Sequence, residues 1–317
     1  MMKGKITEQT RKMLPMYIVG LVFVVVNLIL DPAVLRNWRS TCAFALQFAP
    51  LMACAMAQTC ILLTGGIDLS IGMTVSMMTT ILATTMRDGP VGIAGSVLVT
   101  LAAGAAVGLI MGSVVTFARI PAIIVTLAFS YVWNGVTLFI LPRPGGYIPR
   151  VFTRFFTGRA MIPGAALVLI LTVVIWKLIK NSRLGVAIYA VGDNPRVAYA
   201  NGINVNRSRL AAYGISGVFV AVGAILLVGQ IGCGDPTIGP PFQMNSIAAA
   251  VLGGVAFTGG VGTMRGALIG AFINTSLINV LFFMGTSPYY QRVVQGLILI
   301  AVIGVKAIEY YRKGGGE

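Results

Sequence analysis

The sequence predicts an all-α protein, a polytopic transmembrane helical bundle of about ten spans, and three observations support this. Hydrophobic residues make up 57% of the chain and charged residues only 10%, whereas a soluble globular domain carries roughly 25% charged residues. The apolar residues fall in runs close to the 20 or so residues that a helix needs to cross a bilayer. Basic residues collect at the ends of these runs, where membrane proteins place them. We therefore treat 1–317 as a single transmembrane domain.

Ten apolar runs account for most of the chain. The first follows basic residues like a signal peptide, but it ends at Asp31-Pro32 without a small-x-small cleavage site, so we expect an uncleaved span. The eighth is short and glycine-rich, which predicts a broken helix. The break at 64–66 is short enough to sit within the membrane rather than outside it. The approximate limits of the runs are 15–30, 41–63, 67–86, 91–117, 121–141, 161–179, 210–231, 245–257, 266–284 and 291–308.

The distribution of charge predicts the orientation. An even number of spans places both termini on one side, and if that side is the cytoplasm it receives most of the 23 basic residues, in line with the positive-inside bias. The outer loop 142–160 is an exception, because it carries Arg143, Arg150, Arg154 and Arg159. We predict that both termini are cytoplasmic.

Glycine recurs at every fourth position in two of the runs. A spacing of four lays the residues along one helix face, where two helix backbones can approach closely. There is also a short echo between residues 64–67 (TGGI) and 258–261 (TGGV), which is weak evidence for an internal duplication. We predict helix packing through Gly104, Gly108 and Gly112, and through Gly262, Gly266 and Gly270.

Several classes of chemistry are excluded. The chain has no histidine, so it lacks Ser-His and Cys-His nucleophilic pairs and every histidine metal motif. No G-x-x-x-x-G-K-[ST] loop is present, so the chain cannot bind and hydrolyse ATP through a P-loop. The net charge of +15 does not indicate nucleic-acid binding, since aromatic residues are not interleaved with the basic ones. We expect no metal and no cofactor, and we expect the four cysteines to act as small apolar residues.

Asp68 is the acidic residue closest to the interior of an apolar run. An intramembrane carboxylate often serves as a proton or ion relay. The alternative, which we favour, is a cap at the start of the third span, where its oxygen would satisfy free backbone N–H groups. Ion-coupled carriers usually need carboxylates deep in the membrane, so their scarcity here argues against that class.

Residues 180–209 form a basic loop between two runs. Asn194 can cap a helix, Pro195 suits its first turn, and Gly202 can adopt the left-handed conformation that ends it. The pattern predicts a helix of about two turns from Pro195 to Asn201. A helix this short is unstable alone in water, so it packs either on the membrane domain and bilayer or on a partner protein.

Three motifs carry a resemblance to a known family. They are residues 184–195 (LGVAIYAVGDNP), residues 64–72 (TGGIDLSIG), and residues 247–254 (IAAAVLGG) followed by 258–263 (TGGVGT). In this order they resemble the ribose-type, or monosaccharide, permease family of ABC importers, over about residues 40–310. The family often has Glu-Ala-Ala where this chain has Arg196-Val197-Ala198, and an acidic residue where it has Asn245-Ser246.

The resemblance implies a multi-pass permease subunit of the bacterial inner membrane, with ATP hydrolysis on a partner chain. It implies an importer for a monosaccharide or similar polyhydroxyl solute, with a second permease subunit (identical or different), two cytoplasmic ATPases and an extracytoplasmic binding protein. The loop 180–209 would be the cytoplasmic coupling loop, with Ala198 in the packed contact with the ATPase. An ion-coupled secondary carrier or a passive channel for a small neutral solute is the alternative. The residues expected to couple to the ATPase are Asn194, Pro195, Arg196, Val197, Ala198 and Gly202.

Neutral polar residues within the runs are candidates for the solute pathway. An uncharged polyhydroxyl solute needs neutral donors and acceptors together with some aromatic surface. The alternative for each residue is a hydrogen bond between helices, worth about 0.6 kcal/mol in membranes. The arginines of the loop 142–160 are expected to meet either acidic patches on the binding protein or lipid headgroups. The pathway candidates are Thr126, Trp133, Asn134, Gln243, Asn245 and Asn274.

Overall fold

The computed structural model of the protein describes residues 2–158, 163–287, 289–291, 293–294, 296–297, 300 and 304, with side chains from residue 14 onward. Within these residues the chain forms thirteen helices and no named strand. The helices are α1 (Met2–Leu30), α2 (Ala33–Arg36), α3 (Trp38–Leu62), α4 (Ile71–Thr85), α5 (Gly89–Phe117), α6 (Ala122–Ile140), α7 (Arg150–Phe156), α8 (Gly164–Lys180), α9 (Arg183–Asp193), α10 (Pro195–Ala200), α11 (Val205–Ile231), α12 (Pro240–Leu252) and α13 (Met264–Phe283).

Nine of the ten apolar runs coincide with a helix, namely α1, α3, α4, α5, α6, α8, α11, α12 and α13. The tenth run, 291–308, lies outside the described residues except at isolated positions, as does Arg159 of the outer loop. The eighth run is interrupted as predicted, because α12 ends at Leu252 and residues 253–263 form a loop. The prediction of an all-α fold is confirmed for the described part of the chain.

Five of the described helices are long and apolar enough to cross a membrane: α3, α5, α6, α11 and α13. The pair α8 and α9 passes the same test only when taken together, and it bends by 76° between the two helices. α4 and α12 have 15 and 13 residues, fewer than the 17 or so that a spanning helix needs. The protein is therefore a multi-pass helical membrane protein.

α3 lies in the centre of the bundle, and α5 packs on α11 through glycines. A Cβ atom added to Gly104 would lie 2.8 Å from the Cβ of Ala221, and one added to Gly108 would lie 2.9 Å from the carbonyl carbon of Tyr213. Gly112 continues the row against Tyr213. Because real Cβ atoms almost never come within 3.0 Å of such neighbours, larger residues here would separate the two helices.

The second glycine row differs from the prediction at one position. Gly266 and Gly270 lie on α13 and face α12, and a Cβ atom on Gly270 would lie 2.8 Å from the nitrogen of Gly253. Gly262 is not on this face, because it precedes the helix and has φ +142°. The Thr263 hydroxyl accepts a hydrogen bond from the nitrogen of Gly266 and begins the helix after Gly262. The placement of Gly262 in a helix-packing row was therefore wrong.

The loops of the bundle meet at two opposite ends. One end, which we call the coupling end, holds the breaks 63–70 and 253–263, the α5–α6 loop and residues 180–204; here the nitrogen of Gly260 donates to the Leu63 carbonyl at 3.1 Å. At the opposite end Gly145 and Gly234 exchange two backbone hydrogen bonds of 2.9 and 2.8 Å, and the nitrogen of Tyr147 donates to Ala83 at 3.0 Å. The loop 180–209, which we predict to be cytoplasmic, falls at the coupling end.

Candidate coupling site and pathway

The short helix α10 is capped at both ends as the sequence predicts. The Asn194 side-chain oxygen accepts hydrogen bonds from the nitrogens of Arg196 (3.0 Å) and Val197 (3.1 Å), and Pro195 occupies the first turn. At the other end Gly202 has φ +79°, and the nitrogen of Ile203 donates to the carbonyl of residue 198 at 3.0 Å. These caps satisfy backbone groups that a six-residue helix would otherwise leave free.

The outward face of α10 is not the one expected. Ala198 is only 3% exposed and packs into its own chain, whereas Val197 is 55% and Tyr199 76% exposed. The contact expected at Ala198 with an ATPase is therefore corrected: this methyl group is buried within its own chain and holds α10 to the bundle. Val197 and Tyr199 are the large side chains of α10 that face outward. Tyr199 was not among the coupling residues predicted from the sequence, although it directly follows Ala198.

A helix that the sequence did not predict holds α10 against the bundle. In α9 the Ser182 side chain accepts a hydrogen bond from the nitrogen of Gly185. Farther along, the Tyr189 hydroxyl donates to the carbonyl of Gly262 at 3.1 Å, and the ammonium of Lys180 lies 5.7 Å from the centre of the Tyr189 ring. Burial, with a smaller contribution from Cys60, raises the pKa of Tyr189 to about 12, so its hydroxyl stays protonated and able to donate.

Four glycines from three segments meet where α9 ends, and we call them the glycine junction: Gly65, Gly192, Gly259 and Gly260. A Cβ atom on Gly259 would lie 2.9 Å from the nitrogen of Gly65 and 3.0 Å from the Cα of Gly192. One on Gly260 would lie 2.7 Å from the Cα of Asp193. Gly65, Gly259 and Gly260 also have φ of +79°, +89° and +68°, a region that favours glycine.

The junction joins three parts of the bundle backbone to backbone. It brings the break between α3 and α4 and the break between α12 and α13 against the last residues of α9. α10 begins two residues later, at Pro195. The three segments contact one another here through backbone atoms. The echo of TGG at 64–66 and 258–260 was the sequence signal for this contact.

Asp68 lies in the first of the two breaks and is 3% exposed. Its Oδ1 accepts hydrogen bonds from the nitrogen and the hydroxyl of Ser70, both at 2.7 Å. α4 begins at Ile71 and its cap residue is Ser70, which makes no side-chain cap hydrogen bond. Asp68 therefore stabilises the turn leading into α4, and the prediction that it caps this helix was wrong.

The pathway candidates on α6 lie apart from those on α12 and α13, because α6 packs on α4 and α5 whereas α12 packs on α13, α3 and α4. Thr126 is fully buried, and its hydroxyl oxygen accepts a hydrogen bond from the nitrogen of Leu69 at 3.0 Å. It thus holds the 63–70 break to α6. Trp133 stacks on Phe129 at 5.1 Å, and Asn134 is half-buried next to it.

One of the candidates on α12 and α13 borders a cleft whose lining is mainly apolar and includes four polar side chains. A cavity of about 140 Å³ lies between α3, α11, α12 and α13, and Asn245 is in its wall. Gln243 lies on another face of α12, where it packs against Gly72 of α4, and Asn274 lies on α13 outside the lining of the cleft. The side-chain nitrogen of Asn274 is buried without a hydrogen-bond partner among the described residues. Sequence reasoning missed three polar residues of this wall, which are spread over three helices: Gln47, Gln230 and Thr275.

Comparison with known proteins identifies the family. Residues 40–303 match the family model described as "Branched-chain amino acid transport system / permease component". The chain belongs to this permease family. Two of its relatives in Escherichia coli are the galactose/methyl galactoside import permease protein MglC, 30% identical over 94% of each chain, and the ribose import permease protein RbsC, 33% identical over 78% of this chain and 79% of the relative.

A further relative of this permease is the autoinducer 2 import system permease protein LsrC of Yersinia pseudotuberculosis, 31% identical over 84% of this chain and 78% of LsrC. No solved structure matches the permease. Since the family and these relatives are transport permeases, the protein is a transport permease and not an enzyme. Among the described residues no group of three or more histidine, cysteine or acidic side chains is placed to hold a metal ion.

Proposed function

We propose that this permease is the membrane-spanning subunit of an ABC importer for a monosaccharide or a similar small polyhydroxyl solute. In the proposed assembly it pairs with a second permease subunit, two cytoplasmic ATPases and an extracytoplasmic binding protein. The chain crosses the bacterial inner membrane about ten times, with both termini and the loop 180–209 in the cytoplasm. The observation that carries this proposal is the glycine junction, which links the end of α9, two residues before the capped helix α10, to two breaks in the membrane helices.

The coupling step follows from this geometry. Val197 and Tyr199 insert into a groove of the ATPase, where burying two large apolar side chains stabilises the contact by about 1.5–3 kcal/mol each. When ATP binding closes the ATPase pair, α10 and α9 move together, because Asn194 joins them as the C-cap of one and the N-cap of the other. Gly192 then pushes on both breaks, and α4 and α12 tilt relative to α3.

The cleft between α3, α11, α12 and α13 is the proposed wall of the solute pathway. Its polar atoms belong to amides and a hydroxyl, and it contains Phe242 as an aromatic surface. Neutral groups of this kind exchange hydrogen bonds with sugar hydroxyls without holding them as tightly as a charge would. Because α12 is one of the two half-length helices joined to the junction, its tilt would change the width of this cleft.

The opposite end of the bundle is the proposed docking surface for the binding protein. Arg143, Arg150 and Arg154 are exposed there, and none forms an ion pair within the described residues. Exposed cations of this kind steer an acidic partner and lose their effect as salt rises. Charge reversal at Arg150 and Arg154 is expected to slow docking of the binding protein, whereas unchanged docking would make these residues lipid anchors.

Reconstitution of the complete assembly tests the proposal. Proteoliposomes containing the permease, its ATPase and its binding protein should take up labelled galactose or ribose only when ATP and binding protein are both supplied. Uptake that needs neither would indicate a passive channel. Uptake driven by a proton or sodium gradient alone would indicate an ion-coupled carrier.

A further inference from the structure

A second cavity, of about 410 Å³, opens at the coupling end between the α5–α6 loop, the start of α11 and the 63–70 break. We call it the arginine pocket. It is separate from the cleft proposed for the solute, since no residue lines both. The lining residues that matter for what it can bind are Gly65, Gly66, Thr116, Arg119, Arg209 and Tyr213.

Two cationic side chains line the arginine pocket without a counter-charge. Arg119 is exposed and Arg209 half-buried, and within the described part of the chain neither forms an ion pair or a hydrogen bond. The lining contains no carboxylate. Asp68 lies outside it, with Oδ1 already accepting two hydrogen bonds from Ser70. The pocket is therefore suited to an anion.

The backbone at Arg119 gives a second indication. Arg119 has φ +56° and is the one residue other than glycine with positive φ among those the structure describes. A non-glycine residue in this region carries strain of about 1–3 kcal/mol, and glycine would remove it. Because glycine would remove this strain but has no side chain, its retention at Arg119 indicates that the guanidinium group has a binding role in the pocket.

Two neutral side chains in the wall have unused hydrogen-bonding capacity. The hydroxyls of Thr116 and Tyr213 are buried and have no partner within the described residues, and the residues are 5% and 1% exposed. The Tyr213 hydroxyl lies beside the pocket wall at Gly66, 3.3 Å from where a Cβ on that glycine would be. Since a buried hydroxyl without a partner is unfavourable, an acceptor in the pocket would stabilise the protein.

The start of α6 adds a favourable dipole. Pro121 is the N-cap residue of this 19-residue helix, and its first turn borders the pocket through Ala122. Free backbone N–H groups and the helix dipole favour negative charge at such a position. With the two arginines and the two hydroxyls, they form a set of donors around one cavity, which is the usual composition of a phosphate site.

We propose that the arginine pocket binds a phosphate group, supplied by the headgroup of an anionic phospholipid. The lipid source is supported by the exposed apolar side chains next to the pocket, Phe117, Ile120, Ile123 and Ile124, along which acyl chains can lie. The pocket occupies the loop between two spanning helices and therefore lies at headgroup depth. Its walls include Gly65, so a bound headgroup would also stabilise the glycine junction.

Native mass spectrometry of the full-length, delipidated permease tests this site, with phosphatidylglycerol as the probe and phosphatidylcholine as the neutral comparison. The wild type should bind one phosphatidylglycerol molecule more tightly than any further phosphatidylglycerol molecules and more tightly than phosphatidylcholine. The double variant Arg119→Asn and Arg209→Gln should weaken this binding about 10-fold or more, because two charge-assisted hydrogen bonds are lost. Asparagine tolerates the positive φ of residue 119, so the fold is retained.

A matched control removes the same charge elsewhere. The double variant Arg36→Gln and Arg39→Gln, two exposed residues at the opposite end, should bind phosphatidylglycerol as the wild type does. Tyr213→Phe should weaken binding several-fold, whereas in an empty pocket the loss of an unpartnered hydroxyl would leave binding unchanged.

A parallel arm distinguishes the two sources of phosphate. Thermal unfolding is followed with inorganic phosphate instead of lipid. Stabilisation by phosphatidylglycerol that depends on Arg119 and Arg209 supports the lipid headgroup, and equal stabilisation by inorganic phosphate would identify a soluble phosphate as the occupant. If both double variants bind phosphatidylglycerol as tightly as the wild type does, the proposal is overturned. It is also overturned if the Arg119/Arg209 variant keeps this lipid binding and only its association with the ATPase is lost.

Discussion

Replacing Gly192 by alanine tests whether the glycine junction transmits movement. Gly192 lies within α9, so alanine is compatible with its backbone conformation. The new Cβ atom would lie 2.5 Å from the nitrogen of Gly260 and 2.9 Å from the carbonyl carbon of Leu63. The Leu63 carbonyl oxygen would be closer still, and ordinary contact begins at 3.4 Å, so α9 and the two breaks must separate by more than 0.9 Å.

The size of the effect follows from this displacement. Overpacking of this kind costs about 1–3 kcal/mol, and weakening the hydrogen bond between Gly260 and Leu63 adds about 1 kcal/mol. Together these cost about 2–4 kcal/mol, and at the low end of the roughly 2–4 °C per kcal/mol seen in chains of 150–250 residues the unfolding temperature should fall by about 4–8 °C. The variant should still insert into the membrane, but stimulation of ATP hydrolysis by the loaded binding protein should fall strongly.

The assay compares Gly192→Ala with Gly135→Ala in the reconstituted transporter. Gly135 also lies within a helix, and a Cβ atom there would meet nothing within 4 Å, so this control should keep full stimulation and gain slightly in stability. If Gly192→Ala keeps the wild-type unfolding temperature and full stimulation, the junction does not connect α9 to the breaks and the reasoning is wrong.

Three further substitutions have defined outcomes. Gly202→Val should reduce coupled transport without loss of insertion, because valine at φ +79° is strained by about 1–3 kcal/mol; uptake by Gly202→Asn, which tolerates this φ, is the comparison. Gly108→Leu should lower the yield of folded protein on size-exclusion chromatography, whereas Gly95→Leu on the same helix, with nothing within 4 Å, should not. Asn245→Leu should reduce uptake about 10-fold through loss of a hydrogen bond to the solute at normal protein levels, and an unaffected rate would remove the cleft from the pathway.

The sequence was informative where local rules determine the structure. Apolar runs of spanning length became helices because every backbone polar group in a bilayer must be satisfied within its own segment. The caps of α10 were readable because Asn194, Pro195 and Gly202 act on neighbouring residues only. The close packing of α5 on α11 likewise follows from small residues on one helix face.

The sequence-based predictions failed at positions whose structure depends on tertiary contacts. The inward face of α10 at Ala198 depends on how the helix lies on the bundle, which no local pattern specifies. Gly262 fitted a spacing of four, but α13 begins two residues later because Thr263 caps it. The residues of the cleft come from separate helices, so Gln47, Gln230 and Thr275 could not be grouped from their positions in the chain.

Cysteine cross-linking between α10 and the ATPase tests the central claim most directly. Tyr199→Cys and Ala198→Cys are compared in a background in which the partly exposed Cys233 is replaced by serine. The account predicts that position 199, which faces outward, cross-links to the ATPase and that the yield changes when ATP is added. The buried position 198 should give no cross-link. If neither position reaches the ATPase in the assembled and active transporter, α10 is a surface helix of the membrane domain and the proposed coupling route is contradicted.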